Sequence, residues 1–114
     1  MPTRITREDL QGRLARSSRP VLVEALGAAF YGDAHLPGAI NIPPGQVDRL
    51  ARQLIPDRDS PVVVYCSGSC SSAEAVAGHL EAVGYTDVAV YVGGKEDWVE
   101  HGLPVERSDA LDSS

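Results

Sequence analysis

Two kinds of hydrophobic pattern alternate along the chain. Continuous apolar runs at 21–23, 62–65 and 88–92 are typical of strands buried on both faces of a parallel sheet, and 39–42 is a shorter run of the same kind. Apolar residues at helical spacing lie between these runs. Strands that alternate with helices predict an α/β fold with a parallel sheet and helices on both faces.

The helices are predicted from apolar spacing and from end signals. Thr6 is expected to cap a helix that runs to about Arg16 and places Leu10 and Leu14 on one face. A second helix ends before Pro56. Its apolar stripe consists of Val47, Leu50, Ala51 and Leu54.

The helix predicted after the apolar run at 62–65 has the clearest end signals. Ser71 and Glu74 are spaced as the two members of a capping box, and Gly84 supplies a left-handed C-terminal cap. The predicted buried face consists of Ala73, Val76, Ala77, Leu80 and Val83. Parallel sheets bind ligands where strands end and loops enter helices, so the loop before this helix is the candidate site.

Composition limits the class of protein. The chain has 114 residues, of which 43% are hydrophobic and 23% charged, as expected for one globular domain. No apolar run approaches the ~18 residues of a membrane span, and no signal-peptide core begins the chain, so we expect a cytoplasmic protein without membrane contact. The net charge is −6, and the N-terminal arginines are spaced like a solvated helix face, so nucleic-acid binding is not expected. Residues 108–114 are polar and are expected to form a disordered tail.

The chain contains two cysteines, Cys66 and Cys70. A disulfide framework requires more cysteines in a secreted protein, and the scattered histidines do not repeat a zinc-ligand spacing, so no metal site is predicted. A lone close pair in a cytosolic protein is more often catalytic or redox-active than structural.

Cys66 directly follows the apolar run at 62–65 and begins a loop of small residues that leads into the capped helix. The rest of this loop is Ser67, Gly68, Ser69, Cys70 and Ser71. Such a loop lets backbone N–H groups converge on an anion, and the helix dipole adds positive potential there. Both effects favour a thiolate, so we expect a depressed pKa for Cys66 and a role as nucleophile. The alternative is a small buried cysteine that ends a core strand.

Two segments together resemble the single-domain rhodanese (sulfurtransferase) family. One is the strand, Cys66 and capped helix, followed by GYTDVAVYVGGKEDWVEHGLPVE, and the other is HLPGAINIP at 35–43. The resemblance implies a rhodanese-like domain over 1–107, with a five-stranded parallel sheet flanked by helices on both faces. It also implies that Cys66 forms a persulfide, that 67–71 complete the substrate-binding loop, and that no metal or organic cofactor takes part.

The resemblance further implies the partners and several structural roles. The sulfur donor is expected to be a small sulfur-bearing anion or a persulfide, and the acceptor a thiol, either a small molecule or a protein. His35 is expected to shape a neighbouring loop rather than to catalyse. Gly93 and Gly94 match a turn, and Trp98 matches a core residue.

Two departures from the family pattern concern charge. Many members carry an Arg near the position of Ser71, but no Lys or Arg occurs here between residues 59 and 94. We therefore expect weak thiosulfate binding, with Lys95 the first candidate for a substitute cation. Glu24 stands near the family's usual Asp and either faces solvent or pairs with a loop group.

Cys70 is a further departure with two interpretations. It is either a resolving thiol that attacks the persulfide on Cys66 or a small side chain that fills the loop, and the outward direction of side chains in such a loop favours the second. Two other functions stay open: a binding or regulatory module of this fold without catalysis, and a dithiol redox enzyme that uses both cysteines. The six-residue loop without an Arg disfavours phosphate chemistry.

Overall fold

A computed structural model describes residues 3–16, 19–68 and 71–107, in which strands and helices alternate. The strands are β1 (Thr3–Ile5), β2 (Val21–Glu24), β3 (Ile40–Asn41), β4 (Val62–Tyr65) and β5 (Val88–Tyr91). The helices are α1 (Arg7–Leu14), α2 (Ala28–Asp33), α3 (Val47–Leu54), α4 (Ser72–Ala82) and α5 (Gly94–Glu100). The predicted α/β class is confirmed.

The strands form one parallel sheet in the order β1-β5-β4-β2-β3. The central strand β4 pairs with β2 on one side and with β5 on the other, so that Val64 lies between Val23 and Val90. All carboxyl ends therefore meet at one edge of the sheet, and the residue that follows β4 lies in the middle of that edge.

Hydrophobic cores cover both faces of the sheet. Because side chains alternate along a strand, Val62 and Val64 pack with α3 and α4, whereas Val63 and Tyr65 pack on the opposite face with α1 and α5. Trp98 is buried in that second core, edge-to-face with a tyrosine ring, and its indole Nε1 donates to the Pro104 carbonyl oxygen. The predicted two-sided packing of the sheet and the core role of Trp98 are confirmed.

Three of the predicted helix ends form as the sequence indicates, and one of them is the end of α3 at Leu54, before Pro56. Thr6 and Asp9 make a reciprocal capping box at α1, which ends at Leu14, two residues earlier than predicted. At the end of α4, Gly84 adopts φ +111°, and the N–H groups of Gly84 and Tyr85 donate back to the last helical turn at 3.1 Å each. This pattern is a Schellman motif.

The predicted capping box at the start of α4 is wrong. Ser71 occupies the N-cap, but its backbone is right-handed helical (φ −93°, ψ −3°) and its side chain makes no capping hydrogen bond. An N-cap serine that bonds the helix N–H groups normally has an extended backbone. Glu74 pairs with Arg4 of β1 instead of the Ser71 backbone.

Three elements have no counterpart among the predicted ones: β1, α2 and α5. All three are short, and β1 is an edge strand with one buried residue, so no periodic signal identifies them. Within the part of the chain that the structure describes, no helix is long and apolar enough to cross a membrane. The predicted tail at 108–114 lies outside the described residues.

Candidate active site

Cys66 lies at the carboxyl end of the central strand, where its side chain is 1% exposed and packs into the core on the α3 and α4 side. Its carbonyl oxygen accepts the Lys95 backbone N–H at 2.8 Å, and the Ser67 carbonyl oxygen accepts the Glu96 N–H at 2.7 Å. The first turn of α5 therefore holds the beginning of the loop in place.

Gly94 permits this close approach of α5 to the loop. It adopts φ +68°, and a Cβ at this position would lie 2.7 Å from the Cys66 carbonyl oxygen and 2.8 Å from the Gly68 nitrogen. Those contacts involve backbone atoms that no rotamer change can move. The turn that the sequence predicts at Gly93 and Gly94 is thus also a packing requirement.

The Cys66 sulfur is in its disulfide form, and Sγ lies 3.4 Å from the Gly68 carbonyl oxygen. A disulfide sulfur carries no negative charge, so this contact does not bear on the N–H groups that the loop pattern predicts around a thiolate. Ser69 and Cys70 lie outside the described residues. The converging N–H groups and the role of Cys70 therefore stay predictions.

Two cavities lie beside the loop. Cys66 and Gly68 line a cavity of about 270 Å³ between α4 and the end of β5, whereas Ser67 lines a second cavity of about 440 Å³ beside α2 and α5. Ser71 is exposed and is not among the lining residues of either cavity. Of the predicted site residues, the structure therefore brings Cys66 and Gly68 together in one cavity.

Arg4 lines the Cys66 cavity, although the sequence pattern does not indicate it. It belongs to the edge strand β1, where it pairs in register with Val90 of β5. The stretch without cations between residues 59 and 94 is local in sequence, and sheet pairing brings an arginine to the site from outside it. No sequence signal near Cys66 reports this contact.

A buried ion pair lies on the opposite face of the sheet. Glu24 is fully buried; its carboxylate accepts from the Tyr65 hydroxyl at 2.8 Å and from Lys95 Nζ at 3.0 Å. Lys95 Nζ also donates to the Phe30 and Ala34 carbonyl oxygens at 2.9 and 2.5 Å. Glu24 thus pairs rather than facing solvent, and the Lys95 ammonium is engaged there rather than in the Cys66 cavity.

The Tyr65 hydroxyl connects this ion pair to the segment that precedes β3. Burial, together with the charge of Glu24, raises the pKa of Tyr65, so its hydroxyl stays protonated and donates to the carboxylate. The same hydroxyl accepts the Leu36 N–H at 3.0 Å. His35 is buried, stacks on Tyr31 with ring centroids 4.0 Å apart, and places Nδ1 2.9 Å from the Tyr31 carbonyl oxygen. These contacts support the structural role predicted for His35.

Residues 6–101 of the chain match the family model described as Rhodanese-like domain. The chain belongs to the rhodanese family. Among relatives of this rhodanese, the thiosulfate sulfurtransferase GlpE of Coxiella burnetii is 31% identical over 81 residues, which cover 71% of this chain and 73% of that protein. The HTH-type transcriptional regulator Rv0324 of Mycobacterium tuberculosis is 35% identical over 104 residues, which cover 90% of this chain and 44% of the regulator.

Solved structures support the same fold. The BH2092 protein of Bacillus halodurans superposes on this rhodanese with a TM-score of 0.83 at 23% identity, covering 93% of this chain and 77% of that one. The five-stranded parallel sheet that the resemblance implies is therefore both observed and shared with a solved structure.

Proposed function

We propose that this rhodanese is a sulfurtransferase that carries sulfane sulfur as a persulfide on Cys66. The observation that carries the proposal is the position of Cys66, at the carboxyl end of β4, in a cavity and at the start of the loop that leads into α4. The 11-residue helix α4 directs the positive end of its dipole toward that loop, which favours an anionic sulfur. Relatives named thiosulfate sulfurtransferase support the same reaction class.

The proposed reaction has two displacement steps. The Cys66 thiolate attacks the outer sulfur of the donor, a new S–S bond forms, and the donor's S–S bond breaks with its electron pair on the leaving group. The acceptor thiolate then attacks the outer sulfur of the persulfide, which yields the acceptor persulfide and restores the Cys66 thiolate. Because Cys66 is in its disulfide form in the structure, a thiol reductant must release the thiolate before the first step.

The loop residues 67–71 are proposed to surround the transferred sulfur. The Ser67 carbonyl is held by α5, Gly68 lines the Cys66 cavity, and Ser71 is the N-cap residue just before α4. The roles of Ser69 and Cys70 rest on the sequence alone. The two displacement steps balance without a metal or an organic cofactor, and we propose that they take place in the cytoplasm, where thiols are kept reduced.

Mass spectrometry tests the persulfide directly. The reduced protein, freed of reductant, is incubated with thiosulfate or with a low-molecular-weight persulfide and digested under non-reducing conditions. We expect one added sulfur atom on the peptide that contains Cys66, and none in Cys66→Ala, whose folding is checked by circular dichroism. Sulfur transfer at an undiminished rate in folded Cys66→Ala would contradict the proposal.

The disulfide form of Cys66 favours thiol redox chemistry as a second candidate. In that reaction Cys66 and Cys70 would exchange with a substrate dithiol. Cys70→Ser separates the two candidates. Little change in persulfide lifetime or turnover would mean that Cys70 only fills the loop, as the sulfurtransferase proposal expects. A persulfide that lives much longer in Cys70→Ser, with loss of disulfide formation after a single sulfur loading, would instead identify Cys70 as a resolving thiol.

The similarity to a transcriptional regulator favours a regulatory module as a third candidate. Such a module keeps the fold without turnover. In the mass-spectrometric experiment, a protein that gains no sulfur from any donor would support the module over the enzyme.

A further inference from the structure

An ion pair spans the cavity that contains Cys66. Arg4 of β1 and Glu74 in the first turn of α4 both line this cavity, and Arg4 Nη2 lies 2.9 Å from each of the two Glu74 carboxylate oxygens. Among the described residues that line the cavity, Arg4 is the one with a positive charge.

The geometry of the pair leaves Arg4 able to bind a second anion. Both contacts to Glu74 use Nη2, so this pair does not use Nε or Nη1 of the guanidinium. Arginine presents five N–H donors in a planar fork that suits oxygen anions. A small anion can therefore contact Arg4 without displacing Glu74.

The pair is also weak enough to rearrange. The side chains of Arg4 and Glu74 are 64% and 49% exposed, and ion pairs this exposed contribute little to stability because water screens them. The buried pair of Lys95 with Glu24 differs, since its lysine is 13% exposed and also binds two carbonyl oxygens. Of these two cations, Arg4 is the one that can exchange partners at low cost.

We propose that Arg4 binds the anionic group of a sulfur donor in the Cys66 cavity, and that Glu74 weakens this binding by neutralising Arg4. The proposal rests on the proposed sulfurtransferase function and assigns the residue that would hold the oxoanion of a sulfane-sulfur donor. Thiosulfate is the simplest example: Cys66 forms a bond to its outer sulfur, the thiosulfate S–S bond breaks, and sulfite leaves with the electron pair. The guanidinium lies where it can balance the charge of that oxoanion.

Binding is measured separately from catalysis to test the proposal. Thiosulfate is titrated by calorimetry into Cys66→Ala and into the same protein with Arg4→Gln, Glu74→Gln or, as control, Arg49→Gln on α3. Arg4→Gln is expected to raise the thiosulfate Kd by about tenfold, because one charge-assisted contact is lost. Glu74→Gln is expected to lower the Kd several-fold, and Arg49→Gln to leave it unchanged.

The outcomes separate this proposal from the function on which it rests. Equal Kd values for the Arg4→Gln and Arg49→Gln proteins, a higher Kd in Glu74→Gln, or no measurable thiosulfate binding would each overturn the role of Arg4. Thermal unfolding checks that each variant is folded. Binding that depends on Arg4, combined with a wild-type protein that never gains sulfur on Cys66, would support the anion site and refute the sulfurtransferase reaction.

Discussion

Replacing Lys95 with methionine should destabilise the protein strongly. Lys95→Met keeps most of the apolar stem but removes the ammonium that pairs with the fully buried Glu24 at 3.0 Å. It also removes the ammonium donor from the Phe30 and Ala34 carbonyl oxygens, of which the Phe30 oxygen keeps the Ala34 backbone N–H at 3.3 Å. Removing one partner of a buried ion pair typically costs about 3–5 kcal/mol, because the other charge stays buried without compensation.

That loss is a large fraction of the stability of a domain of this size, about 5–15 kcal/mol. With an m-value of about 1.5 kcal/mol/M, it corresponds to a decrease of about 2–3 M in the urea midpoint. The single tryptophan of the chain, Trp98, is buried and provides the fluorescence signal for urea unfolding. Arg49→Met is the control, since Arg49 lies on the surface and donates a hydrogen bond to Gln46 at the start of α3. This substitution should change the free energy of unfolding by no more than about 0.5 kcal/mol.

A double-mutant cycle with Glu24→Gln tests whether the loss comes from this pair. The neutral glutamine no longer needs a cation, so the double variant should be more stable than the sum of the single losses predicts, by about 1–3 kcal/mol. Additive losses would show that the two side chains act independently. A loss below about 1 kcal/mol for Lys95→Met would refute the reasoning from burial.

Three further predictions concern Gly94, with Gly12 as its control, the hydrogen bond between Tyr91 and Asp97, and Ser71. Measured by thermal unfolding, Gly94→Ala should lower stability by at least about 1–2 kcal/mol, and it should also impair sulfur transfer, since alanine is strained at φ +68° and would contact backbone atoms of the loop. As control, Gly12→Ala, whose Cβ has open space within α1, should stabilise by up to about 1 kcal/mol in the same measurement. The hydrogen bond from Tyr91 holds the pKa of Asp97 below its ordinary value, so the stabilisation that this bond gives the folded protein is present above about pH 4 and lost as pH falls through the depressed pKa. Tyr91→Phe should therefore flatten the dependence of the unfolding temperature on pH between about 2 and 5, and an unchanged slope would contradict this. Ser71→Arg should raise kcat/KM for thiosulfate about tenfold in steady-state assays, because it adds a cation to the loop and breaks no capping bond; tight thiosulfate saturation in the wild type would contradict the expected weak binding.

Local signals account for the elements that the sequence predicts correctly. The central strand at 62–65 is a continuous apolar run, and α4 combines helical periodicity with Gly84, whose left-handed backbone ends the helix. These preferences act between residues close in sequence. The position of Cys66 between them follows directly, so the candidate nucleophile and its loop are visible without a structure.

Local rules also fail where the backbone takes another conformation. Ser71 and Glu74 have the spacing of a capping box, but Ser71 is helical rather than extended, and Glu74 bonds Arg4 of a distant strand. The carboxylate thus has a long-range partner that its neighbours along the chain do not indicate. Spacing identifies residues able to form such a box, and tertiary contacts determine which partner Glu74 bonds.

The sequence by itself determined the alternation of strands and helices, the position of Cys66 at a strand end and the family to which the chain belongs. The tertiary structure alone decided which charges surround the site. Arg4 reaches the Cys66 cavity because β1 pairs with β5. The Lys95 ammonium pairs with Glu24 instead, because β2 lies beside β4 and α5 packs on the face of the sheet that is opposite the Cys66 side chain. Coulomb interactions depend on distance in space rather than along the chain, so only the folded arrangement determines which cation can bind a substrate.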